Sequence, residues 1–361
     1  CGWYSGNRNG GAGTVYTKRT DDSLAKLVID NCGIPGARTE LPDGDEFGPA
    51  SPLPADLVVR GYALLSPRRL DALVTSVTGD VTIGANSGII ADGYGMSAGQ
   101  GPGAGGTDIY GYGSGASYGG SGFDSAGGEP AGATYGSLLD PSDLGSGGGG
   151  SLGGFGGGRI ALEVGGTLRI EGRISADGDH ADGTNSGGGS GGSVKIVTRT
   201  LTGTGGIIRA DGASLSGSGS SGGGGRIAVY YDEHVTPLVT FRSCGWYSGN
   251  RNGGAGTVYT KRSNDSLAKL VIDNCGIYGA ATALPGLTSI DADVVVRGYA
   301  RLTSPVPVDA DPAAFVLTVG GSFTLEGTST IEVSGKGWPK NTGPGAGGTC
   351  GLPLPIDVEL D

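Results

Sequence analysis

Histidine, positive charge and long apolar runs are all scarce in this chain, and each scarcity excludes something. His180 and His234 are the only histidines, and neither stands near a Cys-x-x-Cys pair. That argues against a zinc site and against a Ser–His–Asp nucleophile. Lysine and arginine number 24 against 35 acidic residues, a net charge of -11 with no basic cluster or stripe. Such a surface repels a phosphate backbone, so nucleic acid is not an expected partner. No apolar run is long enough to span a bilayer. Hydrophobic residues reach only 36% of 361 positions, too few for a wide globular core, and no stretch shows helical periodicity.

Glycine fills the chain instead, with 79 residues, about a fifth, against a usual share of roughly 7%. The apolar residues are not scattered as in a disordered tail but gathered into short Val/Ile/Leu runs, which points to a narrow, elongated core. The longest feature is an internal copy. "CGWYSGNRNGGAGTVYTKR" opens at Cys1 and returns at Cys244, and over residues 1–34 and 244–277 the copies differ only where Thr20 and Asp21 are matched by Ser263 and Asn264. A catalytic motif does not preserve so long a word; a tandem duplication does. The second copy then follows more loosely, "LVVRGYALL" (57–65) becoming "VVVRGYARL" (294–302), and "GPGAGGT" recurring at 101–107 and 343–349. The expected organisation is a complete unit at 1–243, a partial second unit at 244–349 and an extended tail at 350–361. Because the first residue is Cys rather than Met, the chain reads as a processed product or an excerpt of a longer one.

A shorter repeat lies inside the unit: "GGGRIALEVGGTLRIEGRISADG" (156–178), "GGSVKIVTRTLTGTGGIIRADG" (191–212) and "GGGRIAVYY" (223–231). Ile160, Val194 and Ile227 head the apolar segments at spacings of 34 and 33 residues, and the closing Asp177 and Asp211 are again 34 apart. The stretch "GGAGTVYTKRTDDSLAKLVIDN" follows the same grammar. Within each segment apolar residues alternate, Ile160, Leu162 and Val164 against Arg159, Ala161 and Glu163, with Gly165-Gly166 read as a turn. Alternation with β-branched enrichment means strands, and Gly, Asn and Asp between them mean turns. A module of about 33 residues buries its apolar face only against further modules. The predicted fold is therefore all-β, a parallel β-helix (β-solenoid) of ~33-residue coils with Gly-rich loops and no significant helix; an antiparallel sandwich is the alternative. The "ADG" corners read as turn formers.

Residues 95–158 depart from the module. Their interspersed Tyr110, Tyr112, Tyr118, Phe123 and Tyr135 argue against a plain linker and for an ordered excursion on the solenoid flank, aromatics covering apolar surface. Cys1 and Cys32 recur as Cys244 and Cys275, a duplicated pair that reads as two disulfides in an oxidising, extracellular setting; each would contribute roughly 3 kcal/mol by loop entropy. Trp3-Tyr4 and Trp246-Tyr247 stand beside these bridges and are expected to pack over them, a carbohydrate platform being the rival reading. "GGSGFD" (119–124) matches the start of a calcium-binding nonapeptide, which makes Asp124 the one weak calcium candidate; no cofactor is otherwise expected. In "PLPIDVELD", Ile356, Val358 and Leu360 alternate with acids, the pattern of a strand that pairs by addition to another edge, and the odd Cys350 stands before it as a candidate intermolecular bridge.

Together "GGAGTVYTKR", "LAKLVIDN", "GPGAGGT", "LGSGGGG", "GGGRIALEVGGTLRIEGRISADG" and "GGGGRIAVYY" resemble the giant glycine-rich repeat proteins of bacteria. The resemblance covers nearly the whole chain and implies a secreted, surface-displayed, β-helical or adhesin-like protein, with no catalytic residues to carry over. The expectation is a structural or adhesive extracellular protein, not an enzyme, that forms a rod or filament. Its partners would be further copies of itself and cell-surface polysaccharide. A β-helix that binds or cleaves carbohydrate is the alternative.

Overall fold

The computed structural model describes residues 1–2, 9–40, 50–68, 70, 72–214, 218–234, 239–304 and 316–334. Trp3, Tyr4, the second "GPGAGGT", Cys350, Ile356, Val358 and Leu360 lie outside them. Among the described residues the chain is all-β, with 23 strands and no helix.

Alternating apolar residues in "TVYT" and "AKLVID" pair as an antiparallel hairpin, β1 (Gly13–Thr17) with β2 (Ala25–Asp30). Its turn is closed by the Asp22 N–H donating to the Arg19 carbonyl across Thr20 and Asp21 (3.2 Å). Those two residues, where the copies differ, form an exposed tip outside both strands, with Asp21 3.5 Å from the Arg19 guanidinium. From there the chain shuttles between two sheets. β3 (Thr39–Glu40) starts the second sheet, β4 (Ala55–Arg60) returns to the first, and β5 (Leu64–Ser66) goes back to the second. β6 (Ala72–Val77) and β7 (Val81–Ile83) lie in the first and β8 (Gly88–Ile90) in the second. After the excursion the shuttling resumes through β9 (Arg159–Ile170), β10 (Arg173–Ser175), β11 (Ser193–Thr202), β12 (Ile207–Arg209), β13 (Arg226–His234) and β14 (Thr240–Arg242). Among the described residues, every pairing between the strands β2 to β14 is parallel.

The pairing is one-for-one. Val194 faces Ile160 on one side and Ile227 on the other, Ile196 likewise faces Leu162 and Val229, and in the second sheet Ile89, Ile174 and Ile208 stack in line. All are buried between the sheets. Aliphatic residues one above another suit a parallel ladder, in which neighbours are about 4.8 Å apart, and each fully buried Ile or Val contributes roughly 1.5–3 kcal/mol.

The second copy repeats the hairpin as β15 (Thr257–Arg262) and β16 (Ala268–Asp273). It continues through β17 (Thr282–Ala283), β18 (Ser289–Ile290), β19 (Ala292–Arg297), β20 (Arg301–Thr303), β21 (Thr318–Val319), β22 (Phe323–Leu325) and β23 (Thr330–Ile331). One 12-stranded sheet runs through both copies in the order β1-β2-β4-β7-β9-β11-β13-β15-β16-β19-β22, with β6 also on β9.

Two expectations need correction and a third is refined. The hairpin word follows the grammar of the parallel modules, but β1–β2 and β15–β16 are antiparallel, because the short Thr-Asp-Asp/Ser-Asn-Asp turn reverses the chain at once. Gly165-Gly166 is not a turn; β9 runs straight through it as one 12-residue strand, and the irregularity is a bulge opposite Thr198–Thr200. The Gly-rich run 186–192, which carries no strand, is ordered by its backbone bonds. In 186–192 the successive N–H groups turn to three different neighbours with period three. Gly187 and Ser190 donate to Gly149 and Ser146, Gly188 and Gly191 to Ser220 and Gly223, and Gly189 and Gly192 to Asp179 and Ala176 (2.7–3.2 Å). That is the geometry of extended polyglycine chains at three residues per turn, bonded sideways on all three faces. Glycine is required because every face meets another backbone: a Cβ on Gly189 would sit 1.9 Å from the Phe155 carbonyl oxygen. The excursion's runs at 113–122 and 145–149 interleave with this layer, Ala116 N–H donating to Gly188 and Gly120 N–H to Gly224. The excursion is therefore ordered, but three of its aromatics do other than cover apolar surface. Tyr110 is exposed, while Tyr118 and Tyr135 enclose a buried arginine described below.

Candidate functional site

The residues with most organised polar chemistry line the "ADG" segments and the joint between the copies. There one aspartate accepts the backbone N–H of a residue further along the chain: Asp177 N–H to Asp92 Oδ1 (3.0 Å), Asp211 N–H to Asp177 Oδ1 (2.9 Å), Cys244 N–H to Asp211 Oδ1 (2.9 Å). Arg209 pairs with Asp177 (2.7 Å) and Arg242 with Asp211 (2.9 Å). The 34-residue recurrence of "ADG" is thus a ladder that passes hydrogen bonds from one repeat to the next, and it ends on the first residue of the second copy.

Burial pushes the Asp177 carboxyl well above the usual carboxylate range, and the charges of Asp92 and Asp211 push it further. Burial likewise raises Asp211, against the pull of Arg242 and the Cys244 N–H. Groups with raised folded values hold protons that the unfolded chain has released, so between the ordinary value of about 3.8 and the raised ones stability falls as pH rises. The opposite case is Asp30, lowered by the Cys32 N–H and Arg60, whose contribution is lost only as pH drops below about 3.8. Thermal unfolding should therefore show the midpoint rising from about pH 7 to about pH 5, and Asp177→Asn should flatten that rise. A midpoint that falls steadily over the same interval would count against the buried ladder.

At the joint, β13 pairs with β15 in parallel over six residues, Arg226–Tyr231 with Thr257–Arg262. Tyr230 and Tyr259 lie with ring centroids 5.7 Å apart, and Tyr230 donates from its hydroxyl to the Leu139 carbonyl (2.7 Å). The glycine layer crosses the joint as well, Gly224 N–H donating to Gly254 and Gly254 N–H to Ser121. Arg226 is fully buried here. Its Nε and Nη2 donate to the Tyr135 carbonyl (2.9 and 2.7 Å) and its Nη1 to Thr257 Oγ1 (3.3 Å), beside the Tyr118 ring. Burial pushes the Tyr118 hydroxyl up to about 12; its partner is Ser193 Oγ (2.7 Å). A cavity of about 430 Å³ lies under the joint, lined by Leu201, Val239, Phe241, Val258 and Val271, with His234, Lys269 and Asp273 at its margin.

Cys1 is bonded to Cys32 and Cys244 to Cys275, with Cα atoms 5.5 and 6.0 Å apart. Each bridge ties the start of a copy to the end of its hairpin, where Cys32 and Cys275 adopt φ of 56° and 55°. Trp246 is half-buried beside the second bridge, edge-on to His180 (5.3 Å), while Tyr247 is exposed. The two histidines have different partners: His180 has Nδ1 3.2 Å from the Ser214 carbonyl, and His234 stands edge-on to Tyr231. The Asp124 carboxylate accepts the Ala131 N–H (3.0 Å), and among the described residues no three His, Cys, Asp or Glu side chains gather as metal ligands. Nothing in the sequence marked Arg226 for burial; "GGGRIA" recurs at Arg159, which is only half-buried.

No helix among the described residues is long and apolar enough to cross a membrane. Compared with known protein families, curated proteins and solved structures, the chain matches none.

Proposed function

We propose that this chain is a structural, non-catalytic repeat protein of the extracellular space, in which units of 243 residues stack end to end as a parallel β-helix to form a rod or filament. The observation that carries this is the joint: the second copy of the opening word serves as a docking strand, continuing the sheet of the first copy residue for residue. A word conserved over its whole length is what an interface used once per unit requires. The shuttling of the chain between two parallel ladders supports the helical-coil reading. The two disulfides support an oxidising compartment, and the resemblance to glycine-rich bacterial repeat proteins agrees with it. Polysaccharide at the cell surface is the proposed external partner.

Electron microscopy of native material tests the rod directly: elongated particles of constant width are expected, and compact particles would overturn it. Incubation with acidic and neutral polysaccharides should give no cleavage; turnover would favour a carbohydrate-active β-helix instead.

A further inference from the structure

The hairpin occurs twice with the same strand sequences but in two surroundings. In the second copy Val258 and Tyr259 are 7% and 8% exposed; in the first, Val15 and Tyr16 are 58% and 55% exposed. Cys244 is buried and Cys1 is exposed. A Cβ on Gly256 would lie 2.1 Å from the Gly225 carbonyl oxygen, whereas one on Gly13 would meet nothing within 4 Å. The internal geometry nevertheless agrees. Gly2 N–H donates to Asn31 Oδ1 (2.6 Å) as Gly245 N–H does to Asn274 Oδ1 (2.8 Å), and Arg60–Asp30 and Arg297–Asp273 both close at 2.7 Å. The register is also the same, Val15–Val28, Tyr16–Leu27 and Thr17–Lys26 matching Val258–Val271, Tyr259–Leu270 and Thr260–Lys269; only the pairs of Gly13 and Thr14 with Asp30 and Ile29 have no counterpart in the docked copy. Among the described residues nothing pairs with the outer edge of β1, and such an edge with apolar residues on it is a template for another strand.

We propose that the first hairpin is the acceptor for the β11–β14 end of another copy of the repeat unit, seated in the register that β13 takes on β15. Shifted by the 243-residue period, that register sets Arg226 opposite Thr14, Ile227 opposite Val15, Ala228 opposite Tyr16 and Tyr231 opposite Arg19. Val15 then enters the apolar end formed by Leu201, Val239 and Phe241, as Val258 does, and Tyr16 packs on Ala228 and Leu138, as Tyr259 does. The two contacting surfaces differ, so the association is head-to-tail and open-ended. The proposal names the partner surface of the stacking reading above and rests on it.

Placing a second copy of residues 72–243 directly ahead of Cys1 of the whole chain supplies this occupant without adding a third hairpin. Hydrogen exchange then reads the peptide across Thr14–Asp22, which Thr20 and Asp21 distinguish from its counterpart in the second copy. Its exchange should slow at least about tenfold, to the rate of the Thr257–Asp265 peptide. Gly13→Ala should leave the melting of the unextended chain unchanged but restore fast exchange in the extended one, because the added methyl collides only with a docked neighbour. Fast exchange in the extended chain, whether or not the added copy folds, overturns the proposal; so does protection that survives Gly13→Ala. Electron microscopy of the same extended chain separates the two readings. Rods with an unprotected β1 would remove this surface and keep the rod, and compact particles with a protected β1 would do the reverse.

Discussion

Replacing Val194 by aspartate is expected to abolish cooperative folding near room temperature. Val194 is fully buried, in register between Ile160 and Ile227 on the inner face of the large sheet. The substitution removes roughly 2 kcal/mol of apolar burial and sets a carboxylate where its neighbours in the ladder are aliphatic. An unpaired buried charge costs several kcal/mol more, a loss comparable with the roughly 5–15 kcal/mol by which most domains are stable. The carboxyl would escape part of this by taking up a proton, so the variant should regain structure at acid pH. Val197→Asp on the same strand is the natural comparison: Val197 is 37% exposed on the opposite face, and its variant should cost about 1 kcal/mol or less. Urea unfolding followed by circular dichroism measures both. A Val194→Asp midpoint equal to that of Val197→Asp would mean that the ladder is not the core.

Gly189→Ala should be almost as damaging, although alanine is usually the more stable choice where backbone geometry permits it, by ~0.4–1 kcal/mol. The added Cβ would lie 1.9 Å from the Phe155 carbonyl oxygen and 2.5 Å from its carbon, and both atoms are backbone. No side chain can rotate away. Relief requires the extended run to move from its neighbours, which breaks the bonds from Gly189 to Asp179 and from Ala213 to Gly189. Gly222, whose Cβ would stand 2.0 Å from the Gly189 oxygen, belongs to the same stack, so the displacement spreads to the next run. A loss of about 3–5 kcal/mol is expected. Gly13→Ala supplies the contrast, since its Cβ would enter open space. If both variants unfold at the same denaturant concentration, the glycine layer is not packed backbone to backbone.

The sequence by itself determined the local elements and their spacing. Period-two alternation with Val, Ile and Leu placed the strands, and Ile160, Val194 and Ile227 stand in register because a 33–34-residue recurrence of like residues has one economical stacking. Duplication of Cys1 and Cys32 was enough to pair the cysteines, since a loop reproduced in both copies closes the same way in each. Aspartate at "ADG" was legible as a turn former, but its carboxylate's reach to the N–H of the next "ADG" was not, because that bond joins residues 34 apart.

Only the tertiary structure decided three things. Composition alone reads a Gly/Ser tract as flexible, because glycine has no side chain to report its contacts; the close approach of backbones that makes 186–192 a wall exists only between segments. Arg226 is buried because the excursion brings the Tyr135 carbonyl and the Tyr118 ring onto it, a meeting of residues 91 and more positions apart. Finally, the core changes sides at the joint. Ile227 and Val229 belong to the first apolar cluster, but Ala228, between them, belongs to the second, together with Tyr259, Leu270 and Ile272. A strand offers alternate residues to opposite faces, and the antiparallel step from β15 to β16 lets the next copy build its core on the face the first copy left outward. Identical words in the two copies carry no mark of that inversion, since it arises from what each face meets rather than from the residues on it.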